Sequence, residues 1–153
     1  MITIHLPVKK YLKKYLISKY GDNFNVTMNS ALGIIVSSVL QNKKYIYNYT
    51  LKKNKSEDVF VFNVSLRHFK DNGCHITEHH LYYINKALED DFAQDIFMQA
   101  ITNKHNFNIA YKDTIIAILQ TYHIDESELS YSTIRKRFNR NKDGIMKKLK
   151  ISA

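Results

Sequence analysis

The chain has no tryptophan, one proline, one cysteine and four glycines in 153 residues. A single Cys74 excludes an intramolecular disulfide framework and any multi-cysteine zinc site, and it suits a reducing, cytoplasmic setting. So little proline and glycine excludes collagen-like and linker-dominated architectures, while 44% hydrophobic residues exclude a disordered chain. No uninterrupted apolar run approaches the roughly 18 to 20 residues that span a bilayer. Lysines follow the apolar Met1 to Leu6 segment instead of preceding it, the reverse of a secretory signal. Glycine-rich phosphate loops are missing as well. What remains is a basic globular chain of one domain, 1–153, with 1–76 as an α/β part and 77–153 as a helical part if it divides.

Acidic residues are scarce at both ends. Residues 1–55 carry ten lysines against Asp22 alone, and residues 131–153 carry eight Lys or Arg against Asp143 alone. The middle, 56–130, holds twelve acids against five bases, and the whole chain is +9. Nineteen lysines against four arginines, with fourteen asparagines, are what AT-rich coding yields, but that bias does not clear acids from the two ends. Either the ends neutralise the middle or they meet an anionic partner.

Ile2, Ile4 and Leu6 alternate with polar residues as in a half-buried strand. Pro7 then stands as a helix start for the pattern Tyr11, Leu12, Tyr15, Leu16, which Gly21 ends. Asn29 or Ser30 caps a second helix with an apolar stripe of Leu32, Ile35, Val36, Val39 and Leu40. Tyr45 to Leu51 and Val59 to Leu66 both alternate, predicting a β-hairpin with Lys52, Lys53 and Lys55 at its tip. Asp71-Asn72-Gly73 marks a turn, and Thr77 opens a long helix through Leu81, Ile84, Leu88, Phe92 and Ile96 that Asn103 to Asn108 interrupts. A third pattern runs from Tyr111 to Tyr122. The fold class is α+β: an N-terminal strand, helices and a hairpin packed with a helical C-terminal half.

The sharpest signal is C-terminal. After a turn at His123 to Glu128, Ser130 or Ser132 caps a helix whose apolar face is Tyr131, Ile134 and Phe138, with Thr133, Lys136, Arg137 and Arg140 opposite. A helix held by one apolar face and projecting cations and a hydroxyl from the other suits a nucleic-acid groove. Arg and Lys meet guanine edges or phosphates, and the two-helix segment has the length of a helix-turn-helix. The run Leu119-Gln120-Thr121-Tyr122-His123-Ile124-Asp125-Glu126-Ser127-Glu128-Leu129-Ser130-Tyr131-Ser132-Thr133-Ile134-Arg135-Lys136-Arg137-Phe138-Asn139-Arg140 resembles the C-terminal portion of small uncharacterised proteins of bacteriophages and other mobile elements. The resemblance implies a DNA-associated role in such a setting, covers about a seventh of the chain, and carries no catalytic motif or site.

Candidate chemistry is sparse. Cys74, His75, His79 and His80 are ligand-type residues, but surface histidines are the plainer reading, and no cofactor or metal is assigned. Glu89, Asp90, Asp91 and Asp95 lack the strand-borne acid pair and lysine of a divalent-metal nuclease. The expectation is a non-enzymatic DNA-binding regulator or accessory factor. It contacts double-stranded DNA through Thr133, Lys136, Arg137 and Arg140, with Lys52, Lys53 and Lys55 as a wing. Lys9, Lys10, Lys13 and Lys14 could follow phosphates too, a membrane surface being disfavoured by the short apolar face. The alternative is a phage structural or interaction component docking on acidic protein surfaces. A homodimer follows if the acidic patch of one copy meets the basic ends of another. If Arg137 and Arg140 instead pair with Glu89 to Asp95, the basic face is internal.

Overall fold

A computed structural model describes residues 1–40 and 58–150. The chain is α+β, with the element order β1 (Ile2–Val8), α1 (Lys10–Tyr20), β2 (Phe24–Asn25), α2 (Ala31–Val39), β3 (Asp58–Val64), α3 (Leu66–Asn72), α4 (Glu78–Phe107), α5 (Tyr111–Thr121) and α6 (Tyr131–Leu149). It forms two compact units, Met1–Leu88 and Glu89–Ala153.

In the first unit, three strands lie in the order β1-β3-β2. β1 runs antiparallel to β3, with Ile4 opposite Phe62 and Leu6 opposite Phe60, and β2 pairs parallel to β3 at Phe24 and Phe62. The alternation read from β1 is real: Ile4, Leu6 and Val8 are buried while Thr3 and His5 are exposed. β3 likewise buries Phe60, Phe62 and Val64. Against this sheet α1 contributes Tyr11, Leu12, Tyr15 and Leu16, all buried, before Gly21 at φ 82° ends the helix and donates its N–H to Ile17. Ser30 is the residue that caps α2, accepting from the Gly33 N–H at 3.0 Å. Gly33 is required there because a Cβ would stand 1.9 Å from the Thr27 carbonyl oxygen.

Several local expectations are corrected in this unit. Pro7 does not start α1 but lies inside β1, opposite Val59; β1 is an edge strand among the described residues, where a missing N–H costs no ladder bond. Leu66 does not extend β3. Ser65 breaks the strand by capping α3, accepting from the His68 N–H at 3.1 Å, so Leu66 begins a helix and is exposed. The expected first hairpin strand, Tyr45 to Leu51, and the tip lysines Lys52, Lys53 and Lys55 lie outside the described residues.

α4 opens where expected, with the Thr77 hydroxyl accepting from the His80 N–H at 3.2 Å. Its N-terminal portion buries Ile84 and Leu88 in the first unit, and the buried Asn85 amide donates to the carbonyls of Pro7 and Leu81, each at 3.0 Å. Asn103 does not interrupt the helix, which continues to Phe107 and stops at Asn108, a residue in the left-handed region at φ 55°. Helix propagation adds a backbone bond for each residue ordered, so a polar run with no glycine or proline is carried along once the turns before it are packed.

The second unit is helical. The C-terminal portion of α4 buries Phe92, Ile96, Phe97, Ala100 and Ile101, α5 buries Ile115, Ile118 and Leu119, and α6 buries Ile134, Phe138, Ile145 and Met146. Phe138 is the hub, with ring centroids 5.3 Å from Phe97 and 5.0 Å from Tyr111.

Candidate nucleic-acid interface

The helix pair α5 and α6 is joined by residues Tyr122 to Ser130, longer than the three or four residues of a tight helix-turn-helix. The exit from α5 is a Schellman motif made without glycine. His123 takes the left-handed conformation at φ 53° and donates to the Gln120 carbonyl, the Ile124 N–H donates to Leu119, and the Ile124 side chain is buried. Ser130 rather than Ser132 starts α6, its hydroxyl accepting from the Thr133 N–H at 3.2 Å, while Glu126 accepts from the Tyr131 N–H at 3.1 Å. The carboxylate near the first turn of α6 also suits the positive end of the helix dipole.

That start sets the phase of everything after it. Ile134 and Phe138 turn into the unit, so Thr133, Lys136 and Arg140 emerge on the exposed side and Arg137 is half-buried between the two faces. Thr133, Lys136, Arg137, Arg140 and Asn141 line an open concavity of about 680 Å³, together with Asp90 and Gln94 of α4. The four expected C-terminal contact residues are therefore brought together in one place. Their spacing of three, one and three residues is that of a single helical face.

The four are not equivalent. Arg137 donates from its guanidinium to Asp90, one of the pairings with Glu89 to Asp95 that would turn the basic face inward. Arg140 does not do the same: among the described residues neither Lys136 nor Arg140 has a carboxylate partner. The Thr133 hydroxyl is engaged with that of Ser130 at 2.8 Å, and the Asn141 amide donates to the Arg137 carbonyl at 2.8 Å. Sequence reasoning missed Gln94 and Asn141 as lining residues and placed Asp90 only within the Glu89 to Asp95 segment weighed as a partner for Arg137 and Arg140. Asn141 had a readable signal, falling one turn beyond Arg137 on the same face. Asp90 and Gln94 are likewise four apart, but which side of α4 meets α6 depends on packing.

The N-terminal lysines are placed otherwise. Lys13 donates to Asp58 at 2.8 Å, across from α1 to the start of β3. This hydrogen bond, helped by the Val59 N–H, holds the Asp58 carboxyl below the usual carboxylate range. Lys19 donates to the Tyr15 hydroxyl at 2.7 Å and lies 5.1 Å from that ring's centroid, and Lys9 lies 6.0 Å from that of Tyr11.

Around Cys74 no ligand set assembles: among the described residues no group of three His, Cys, Asp or Glu side chains is arranged to hold a metal ion. His79 instead packs edge-on against Tyr83, with centroids 4.7 Å apart. Burial, and secondarily the neighbouring His79, lower the pKa of His80, whose Nδ1 is buried without a hydrogen-bond partner.

No helix among the described residues is long and apolar enough to cross a membrane. No family model, curated protein or solved structure matches the chain.

Proposed function

We propose that the protein is a non-enzymatic DNA-binding protein, a regulator or accessory factor of phage or mobile-element origin, that meets double-stranded DNA with the exposed face of α6. The observation that carries this reading is the pair Lys136 and Arg140: two exposed cations one helical turn apart, beside a polar concavity, with no carboxylate partner among the described residues. Cations without a carboxylate partner, held at fixed spacing by a packed helix, are what phosphate neutralisation needs. Arg135, Lys147 and Lys148 extend the positive field along α6, opposed on that helix only by Asp143. The phage or mobile-element setting rests on the resemblance of residues 119–140 alone.

A mobility-shift titration with a duplex at two salt concentrations tests the reading. Binding must weaken steeply as salt rises, and Lys136→Ala with Arg140→Ala must flatten that dependence. Absence of a shift even at low salt overturns it. Docking on an acidic protein surface is the second reading, favoured by the fact that Arg137 already binds a protein carboxylate, that of Asp90. A homodimer belongs to either reading, and a molar mass that stays monomeric at high concentration and low salt argues against it.

A further inference from the structure

Arg137 stands in the middle of the candidate interface and is the one cation lining the concavity that already holds a carboxylate among the described residues. Its partner Asp90 is the only acidic residue among the described residues that line the concavity, and it sits on a different helix, α4, within the same compact unit. Both side chains reach solvent, Arg137 being 37% and Asp90 57% exposed, so separating them opens no core. An ion pair this exposed is weak. A guanidinium presents the same fork of donors to a carboxylate and to a phosphate, so one anion can replace the other without moving the arginine far.

The surroundings favour the exchange. Lys136 precedes Arg137 and Arg140 follows one turn later, about 6 Å along the helix axis from Lys136. That is the scale on which successive phosphates of a strand are spaced. Asp90 offers one charge to one arginine, whereas a strand offers a charge to each of three cations at once.

We propose that Asp90 is an internal stand-in for a backbone phosphate: it occupies Arg137 in the free protein and is displaced by a phosphate of the bound strand. The proposal rests on the reading of α6 as the DNA contact and adds a regulated step to it. Asp90 lowers the affinity for any polyanion and holds Arg137 at the concavity until one arrives. The displaced carboxylate, more than half exposed, turns to water.

Fluorescence anisotropy with a labelled duplex, at two salt concentrations, tests the exchange on the full chain. Asp90→Asn removes the charge with little change in shape and tightens binding by about two- to fivefold, the scale of a weak exposed pair. The same substitution in an Arg137→Ala background gives no gain, and Asp90→Ala behaves as Asp90→Asn does. Circular dichroism confirms that each variant keeps its helices. If the parent protein binds but Asp90→Asn binds no tighter, the exchange is overturned and the DNA reading stands. An equal gain with and without Arg137 also overturns it, because the carboxylate then acts only through its long-range field. If the parent protein does not bind even at low salt, both readings fall together.

Discussion

The two basic ends of the chain carry similar charge but use it differently. In the first unit, α1 and the residue that caps it engage their lysines locally: Lys13 on Asp58, Lys19 on the Tyr15 hydroxyl and ring, Lys9 over Tyr11. In the second, α6 ties Arg137 to Asp90 and sets Lys142 5.3 Å from the Tyr111 ring centroid, but Lys136 and Arg140 have no carboxylate among the described residues. The difference comes from what lies beside each helix. α1 carries tyrosines on its own length and has the acidic start of β3 within reach. α6 has few aromatics on its polar side and, among the described residues, a single acid within the concavity. Net charge along a sequence therefore measures the supply of cations, and packing decides how many remain for a partner.

The deepest way to break this comparison is to remove the core beneath one region and leave the other. Phe62→Ala in β3 and Phe97→Ala in α4 each delete a ring that is 0% exposed, and each costs about 3 to 5 kcal/mol. Hydrogen exchange should show protection falling first in β1, β3 and α1 for Phe62→Ala, and in α5 and α6 for Phe97→Ala. Gly33→Ala follows, because its Cβ meets the Thr27 carbonyl oxygen; overpacking there costs about 1 to 3 kcal/mol in denaturant unfolding.

Charge substitutions sharpen the comparison with smaller effects. Lys136→Ala with Arg140→Ala should lower the salt slope of DNA binding by about 0.9 for each phosphate that is no longer neutralised. Lys9→Ala with Lys19→Ala, at positions engaged by aromatic rings, should leave that slope nearly unchanged. Parallel titrations at several salt concentrations measure both. The smallest effect is that of Asp58. Its carboxyl has a lowered pKa, so the stabilisation is present above the unfolded carboxyl value of about 3.9 and is lost as pH falls through the folded value. Both partners are about a third exposed, which limits the contribution to about 1 kcal/mol or less. Asp58→Asn should remove this part of the acid dependence of thermal unfolding and leave melting near pH 7 lowered by a few degrees at most.

Much of the architecture was legible in the residues. Period-two alternation located β1 and β3, and three-four spacing located α1, α2, α4 and α5, because each half-buried element must repeat its apolar residues at its own geometric period. The grouping of Thr133, Lys136, Arg137 and Arg140 on α6 was legible for the same reason. What escaped were features settled by competition between neighbours. Pro7 reads as a helix start, yet it is tolerated in β1 because the strand lies at the edge among the described residues. Ser65 reads as one more polar residue of a strand, yet its hydroxyl satisfies a backbone N–H and turns Leu66 into α3. The left-handed turn at His123 carries no glycine to announce it and is held by the burial of Ile124.

The sequence by itself determined where the cations are, which helix face they share and which residues anchor that face, since these follow from composition and from the 3.6-residue repeat. Only the tertiary structure decided which cations already hold a carboxylate. Asp90 and Arg137 lie 47 residues apart, and their meeting depends on the packing of α4, α5 and α6 around Phe97 and Phe138. Charge is a property of residues, but availability is a property of neighbours, and neighbours on separate helices are chosen by the core between them.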